Sequence, residues 1–220
     1  MLDAMPLPDL ERAPAREPSL LSREGLKRAF DLVVGSLAVL VAAPLLLLLM
    51  VAIVLESQGN PIFAQERLGL NGKRFRLLKL RTMVADAERR RAQIEHLNEA
   101  LPPLFKVRND PRVTRLGRIL RATSLDELPQ LINVVRGDMS IVGPRPRLPY
   151  ELSMDDPAIQ RRLSVKPGLA GLWQVSGRAT LNFDEALTLD LAYVENWSFW
   201  LDLKLIARTL WVVITLHGAY

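Results

Sequence analysis

The sequence contains no cysteine and only two histidines, His96 and His217, which lie far apart. Without cysteine there is no disulfide framework, no thiolate nucleophile and no Cys-based metal site. Two isolated histidines also give no basis for a zinc centre or a Ser/His relay. A cytoplasmic setting for the soluble part fits this composition. No internal repeat, D-x-D metal motif or recognisable RNA- or DNA-binding motif is visible, so nucleic acid is not an expected partner.

What the chain does have is unevenly placed. Its 220 residues suffice for one well-cored domain plus an anchoring segment. Hydrophobic residues make up 49% of the total, yet they concentrate near the start. A net charge of +5 suggests an acidic partner, and charge alone leaves nucleic acid, anionic lipid and phosphate-rich substrates open.

Residues 1–22 carry Pro6, Pro8, Pro14 and Pro18 among charged residues and read as a flexible tail. The uncharged apolar run from Leu32 to Leu55 follows Arg23, Lys27 and Arg28. It exceeds the roughly 7–15 residues of a signal-peptide core and, at about 1.5 Å per residue, could span a tilted path through a bilayer. Pro44 near its middle removes a backbone donor and predicts a kink or break. Arg67, Lys73 and Arg74 follow the run, so basic residues flank it on both sides and the positive-inside rule puts both ends on the cytoplasmic face. A membrane helix over 23–56 that is broken at Pro44 and re-entrant satisfies this pattern. A straight single-pass helix that tolerates the proline is the alternative.

Residues 57–220 read as the soluble-face domain. Asn71-Gly72 is a turn signal between short strands near 62–82. Residues 86–101 predict a mostly polar helix with Ile94, Leu97 and Leu101 as its apolar stripe. Thr114 can cap a helix to about Ala122, and Asn182 with Glu185 has capping-box spacing ahead of the stripe Phe183, Leu187, Leu191 and Val194. Arg112, Arg115 and Arg118 have helical spacing, either as a basic face toward phosphate or as a plain solvated face. The segment from Trp197 to Leu216 carries Asp202, Lys204 and Arg208, which disfavours a second span. It reads as an interfacial amphipathic helix, with Trp197, Trp200 and Trp211 at headgroup level, or else as a core helix. The fold class expected is helix-rich α+β.

The stretch RATSLDELPQLINVVRGDMSIVGPRP, residues 121–146, holds the most chemistry. Pro129 suits the first position of a helix, and the residue before it, Leu128, is expected outside the α region. Asp126 and Glu127 would then stand just ahead of a helix N-terminus, where an ionised carboxylate and a phosphate are both favoured. A carboxylate beside phosphate needs a divalent cation and arginines, and Arg115, Arg118 and Arg121 lie just upstream. The plainer reading is an S-x-x-E capping box made by Ser124 and Glu127, although Pro129 sits awkwardly for a helix starting at Ser124.

Four stretches taken together, TSLDELPQLINVVRGDMSIVGPRP, KLRTM at 79–83, KPGLAGLWQVSGR at 166–178 and YVENWSFWLDLKL at 193–205, resemble the bacterial sugar transferase family, the monotopic phosphoglycosyl transferases that begin surface-glycan assembly. The resemblance covers about 27–216. It implies that Asp126 is a nucleophile attacking the β-phosphate of a UDP-sugar, releasing UMP, and that Glu127 assists transfer to undecaprenyl phosphate. It implies Mg²⁺ at Asp126, phosphate contacts at Arg121, nucleotide-sugar contacts at Arg178, and a site-shaping loop of Pro144, Arg145 and Pro146. Lys79 and Arg81 match either a binding role or a membrane-facing basic patch. The expected address is the cytoplasmic face of the bacterial inner membrane, in exopolysaccharide or other surface-glycan synthesis, with membrane lipid as a partner and a homodimer compatible with the family. Members of the family often break the anchor at Ser-Pro, whereas this chain has Ala43-Pro44. Larger members carry a multi-span module, so the resemblance implies the catalytic unit alone, natural or cut from something longer. The sugar, whether glucose, galactose or an N-acetylated one, is not readable. An ordinary glycosyltransferase releasing UDP and a non-catalytic membrane scaffold are the competing functions.

Overall fold

The structure is a computed structural model that describes residues 20–99, 105, 107, 109–176 and 182–215, so the tail expected over 1–22 lies outside the described residues except at 20–22, which are already helical. Its longest element is helix α1, Leu20–Glu56, followed by the antiparallel hairpin of β1, Ile62–Leu68, and β2, Arg74–Leu80. Asn71 and Gly72 both have positive φ, 53° and 74°, so the turn forms where the Asn-Gly pair predicts it. The register pairs Ile62 with Leu80 and Leu68 with Arg74.

Helices α2, Arg115–Ala122, and α3, Gln130–Arg136, come next, then the short strand β3, Ser140–Val142. After α4, Pro157–Arg162, strand β4, Gly168–Ala170, pairs parallel to β3. Helices α5, Leu172–Ser176, α6, Phe183–Glu195, and α7, Phe199–Thr215, complete a helix-rich α+β fold. The main core gathers Leu77 of β2, Leu131 and Val134 of α3, Ile141 and Val142 of β3, Tyr193 of α6 and Leu205 of α7.

Helix α1 packs along its whole length. Val34, Ala38, Val39 and Ala42 lean on the main core, and Gly35 lets Val134 approach closely. Farther along, Leu46 and Ile53 bury against Leu80 and Leu120. These positions recur every three or four residues and form one stripe. The opposite side exposes Val33, Leu37, Leu40, Val41, Leu47, Leu48, Val51 and Leu55 to the surroundings. Pro44 falls on this outer side, and the helix continues through it instead of breaking as the sequence predicts. Ala42 and Leu46 are held by the domain on either side of the proline, so packing keeps both halves in one helix despite the missing N–H.

Polar contacts tie α1 down at both ends. Near its start, Lys27 Nζ pairs with Asp202 at 2.5 Å, and Arg28 donates to the carbonyls of Val134 and Val135 at 2.7 Å each. The buried Asp31 carboxylate accepts from Ser140 Oγ and Ile141 N, both at 3.0 Å. At its end, Glu56 Oε1 accepts from Leu116 N at 3.0 Å, adding a carboxylate to the start of α2.

Other expectations divide. Thr114 caps α2, accepting from Gly117 N, and the reciprocal Asn182/Glu185 box opens α6, both as the local sequence predicts. The helix expected over 86–101 is absent among the described residues; turns lead into a short 3-10 helix at Ala92–Leu97, and residues 100 and 101 lie outside the description. Arg112 Nη1 takes the Ala87 carbonyl, which a regular helix would offer to residue 91. Arg112 itself is buried in an ion pair with Asp110, so it leaves the proposed basic face, whereas Arg115 and Arg118 of α2 are exposed. Helix α7 is mixed: Asp202, Leu205 and Trp197 just before it join the core, while Trp200, Leu210 and Trp211 are exposed.

Candidate active site

The site forms where α2 hands over to α3. Ser124 adopts left-handed backbone geometry at φ 57°, one of two non-glycine residues to do so among the described residues. Such a residue costs about 1–2 kcal/mol, and here it reverses the chain tightly enough to start a 3-10 turn at Leu125–Glu127. That turn presents Asp126 and Glu127 side by side. Ser124 makes no side-chain cap, which removes the capping-box reading. Leu128 sits in the α region, contrary to expectation: its N–H donates to Leu125 and its side chain wedges between two core clusters, which outweighs the clash with Pro129.

The two carboxylates have different surroundings. Lys79 arrives on β2, its Nζ 2.7 Å from Glu127 Oε1 and 3.9 Å from Asp126 Oδ2. Arg145, on the loop after β3, reaches the same Glu127 oxygen at 3.4 Å. Burial works to raise the Glu127 pKa, but the charges and hydrogen bonds of Lys79 and Arg145 overcome it and hold the group at about 2. Asp126 is buried without such a close partner. Burial raises its pKa, and Glu127 adds to the rise while Lys79, Arg121 and Arg145 oppose it. Two adjacent acids pushed in opposite directions are the usual sign of divided roles.

A family model described as bacterial sugar transferase matches residues 22–216, nearly all of the chain. The chain belongs to the bacterial sugar transferase family. Among its relatives, exopolysaccharide production protein ExoY of Rhizobium meliloti (strain 1021) is 40% identical over 198 residues, covering 88% of each chain. UDP-glucose:undecaprenyl-phosphate glucose-1-phosphate transferase of Caulobacter vibrioides is 44% identical over 206 residues, 88% of this chain and 72% of that one. Undecaprenyl-phosphate galactose phosphotransferase of Salmonella typhimurium is 41% identical over 205 residues, 89% of this chain. The chain spans less than half the length of several relatives that it matches, 42% in the Salmonella protein.

In this sugar transferase the PRP loop joins the dyad. Pro144 accepts from Gly168 N at 2.8 Å, fixing the loop to β4, and Pro146 accepts from Arg67 Nη1 at 3.3 Å. Arg145 stacks over Trp173 at 5.5 Å from the ring centre, and its carbonyl accepts from Arg162. Arg121 lies near Asp126, its Nε donating to Thr82 Oγ1 at 2.9 Å. Arg81, by contrast, is drawn away from the dyad. It donates to the Ser57 and Gln58 carbonyls at the end of α1, so a substrate contact from it has no support in this geometry. Arg178 lies outside the described residues.

A narrow cavity beside the dyad is lined by Lys79, Glu127, Arg145 and Pro146, and also by Gln130, which the sequence did not single out, and Arg67, which it marked only as a basic flank of the apolar run. A usable signal for Gln130 was its place three and four residues beyond Glu127 and Asp126, on the same side of a helical path. No group of three or more His, Cys, Asp or Glu side chains gathers among the described residues to form a protein-only metal cage. The dyad instead suits Mg²⁺, which is ordinarily held by one or two carboxylates together with substrate phosphates and water. Asp126, which lacks the closer ion pairs that Lys79 and Arg145 give Glu127, is the carboxylate that would hold such an ion.

Proposed function

We propose that the protein transfers a sugar 1-phosphate from a UDP-sugar to undecaprenyl phosphate, releasing UMP, at the cytoplasmic face of the inner membrane. The observation that carries this reading is the buried Asp126 carboxylate beside an ion-paired Glu127, ringed by Lys79, Arg121 and Arg145. A carboxylate nucleophile amid cations suits attack on phosphorus better than attack on a sugar carbon, because the basic groups can bind the equatorial oxygens. The names of the Caulobacter and Salmonella relatives support the same substrates.

In the first half, an Asp126 carboxylate oxygen bonds to the β-phosphorus, and the bond from that phosphorus to the bridging oxygen breaks. UMP departs with the bond's electrons and the phosphosugar stays on Asp126. In the second half, the phosphate oxygen of the lipid attacks the same phosphorus and the Asp126–phosphorus bond breaks, regenerating the carboxylate. Mg²⁺ held by Asp126 with the diphosphate would neutralise phosphate charge. Lys79 and Arg145 are placed to bind phosphate oxygens and to steady Glu127. Incubating the purified protein with each of a panel of UDP-sugars, without lipid acceptor, should release UMP in an amount matching the enzyme and label Asp126. Release of UDP would refute the reading. The panel also identifies the sugar: the relatives' names print glucose and galactose, and an N-acetylated UDP-sugar belongs in the panel beside them.

Helix α1 supports a membrane geometry with both of its ends on one face. One helix in the described residues is long and apolar enough to cross a bilayer, and only 11% of its most apolar stretch is buried. Yet Arg28 near its start and Glu56 at its end are bonded to the same domain. A helix crossing to the far side would carry part of that domain, including the exposed Arg115 and Arg118, through the hydrocarbon. The helix therefore dips its outer apolar face into one leaflet, with both ends on one side, and Trp200 and Trp211 sit at the surface. The chain lacks cysteine, so single cysteines placed at Leu26 and Gln58 give a clean test. An impermeant maleimide should label both in inverted vesicles and neither in intact cells. Labelling from opposite sides would overturn the topology.

A further inference from the structure

The cavity beside the dyad contains a buried hydrogen-bonding capacity that the fold does not use. Gln130 is only 3% exposed, and its Nε2 has no hydrogen-bond partner. Arg67, on β1 across the same cavity, spends its Nη atoms on Pro146 and Gln65 but leaves its buried Nε without a partner. Buried donors are nearly always satisfied, because leaving one unmade forfeits the hydrogen bond it had with water. Both residues line one cavity.

The charges around them specify what would satisfy both. Arg67, Lys79 and Arg145 line the space against one carboxylate, Glu127. Burial, then the nearness of Arg145, pulls the Arg67 pKa down to about 10, with Glu151 and Tyr150 opposing the fall and Arg147 adding to it, so the arginines repel one another across this space. An anion relieves that repulsion and accepts from both idle donors. The free space is about 10 Å³, room for one oxygen-sized group and no sugar ring. We infer that Gln130 is a substrate-contacting residue, its amide donating together with Arg67 Nε to a phosphate oxygen that enters this cavity. This rests on the phosphoryl-transfer reading given above. The phosphate comes either from the nucleotide sugar or from the lipid acceptor, and the two half-reactions separate these sources.

The test uses the full chain in detergent with the variants Gln130→Met and Gln130→Glu. Methionine keeps the shape and removes the amide, so the melting temperature should be no lower than in the wild type, while one half-reaction slows about 10- to 100-fold, the worth of a hydrogen bond to a charged group. Glutamate, which adds a negative charge facing the phosphate, should slow the same half-reaction further. Slower UMP release from the UDP-sugar alone assigns the donor phosphate; slower discharge of the labelled enzyme onto undecaprenyl phosphate assigns the acceptor phosphate. Unchanged rates in both halves with Gln130→Met would overturn the inference. So would a lowered melting temperature with a matching loss in both halves, which would mark a packing role. If the wild type released UDP instead of UMP, the transfer reading would fall separately. Gln130 would then be judged by calorimetric binding of UDP, which Gln130→Met must weaken for the contact to stand.

Discussion

Lys79 bridges the two acids, so replacing it tests the electrostatic logic of the site most directly. The Glu127 pKa falls from 4.5 to about 2, which at about 1.4 kcal/mol per pH unit corresponds to about 3 kcal/mol favouring the ionised form in the folded protein. Lys79 acts from 2.7 Å and Arg145 from 3.4 Å, so Lys79 carries the larger part, about 2 kcal/mol. In a protein of this size that is about 4–8 °C in melting temperature. A depressed carboxylate pKa contributes stability fully above the unfolded value, near pH 4.5, and loses it as pH falls toward 2. Lys79→Met should therefore melt about 4–8 °C below wild type at about pH 7, with the gap narrowing by about pH 3. Lys79 is also the leading influence that lowers the Asp126 pKa, so the acidic limb of UMP release should move to higher pH in the variant. Lys79→Arg should restore much of both. The assays are thermal unfolding at the two pH values and a pH profile of UMP release. A melting gap independent of pH, or an acidic limb that stays in place, would refute the account.

Asp126→Asn should lower UMP release at least about 10⁴-fold without unfolding the protein. Burial raises the Asp126 pKa, so its contribution is full at low pH and is lost as pH rises; the asparagine variant should gain thermal stability over wild type as pH rises above the ordinary aspartate range, measured by melting. Asp202 is 1% exposed and accepts from Lys27, Tyr193 and Trp197 at 2.5, 2.9 and 3.1 Å. Asp202→Ala should cost about 3 kcal/mol in denaturant unfolding, because it strands the Lys27 charge against the domain. A Cβ on Gly117 would lie 2.1 Å from the Thr82 carbonyl, so Gly117→Ala must push α2 off the end of β2. Unfolding should show a loss of about 1–3 kcal/mol, and UMP release should fall with it as the Thr82–Arg121 contact shifts.

Features set by neighbours in sequence were the ones that could be read from it. The Asn71-Gly72 turn, the Thr114 cap and the Asn182/Glu185 box each involve residues at most three apart, and each forms. The dyad was legible through its motif. Its electrostatics were not, because Lys79 lies 48 residues from Glu127 and only the hairpin's packing against the 3-10 turn joins them. Arg112 shows the opposite failure. Its spacing to Arg115 and Arg118 suggested one helical face, but Asp110, two residues away, captures it before the helix begins. The break at Pro44 was read from the proline's local chemistry, the basic flanks and the family's anchor, none of which registers the packing along the whole inner stripe of α1 that keeps the helix continuous.

The anchor and the site turn out to share their supports. Arg28 of α1 holds the carbonyls of Val134 and Val135, in the helix that begins just beyond the dyad, and Asp31 holds the first strand residues that lead into the PRP loop. At the other end, Glu56 and Thr114 set the start of α2, which delivers Ser124 and Asp126. The membrane helix is thus a structural wall of the catalytic domain as well as its attachment. If the helix lies in one leaflet as proposed, these supports fix the height of Asp126 above it, where under the proposed transfer a soluble nucleotide sugar and a lipid phosphate would reach the same carboxylate in turn, each from its own phase.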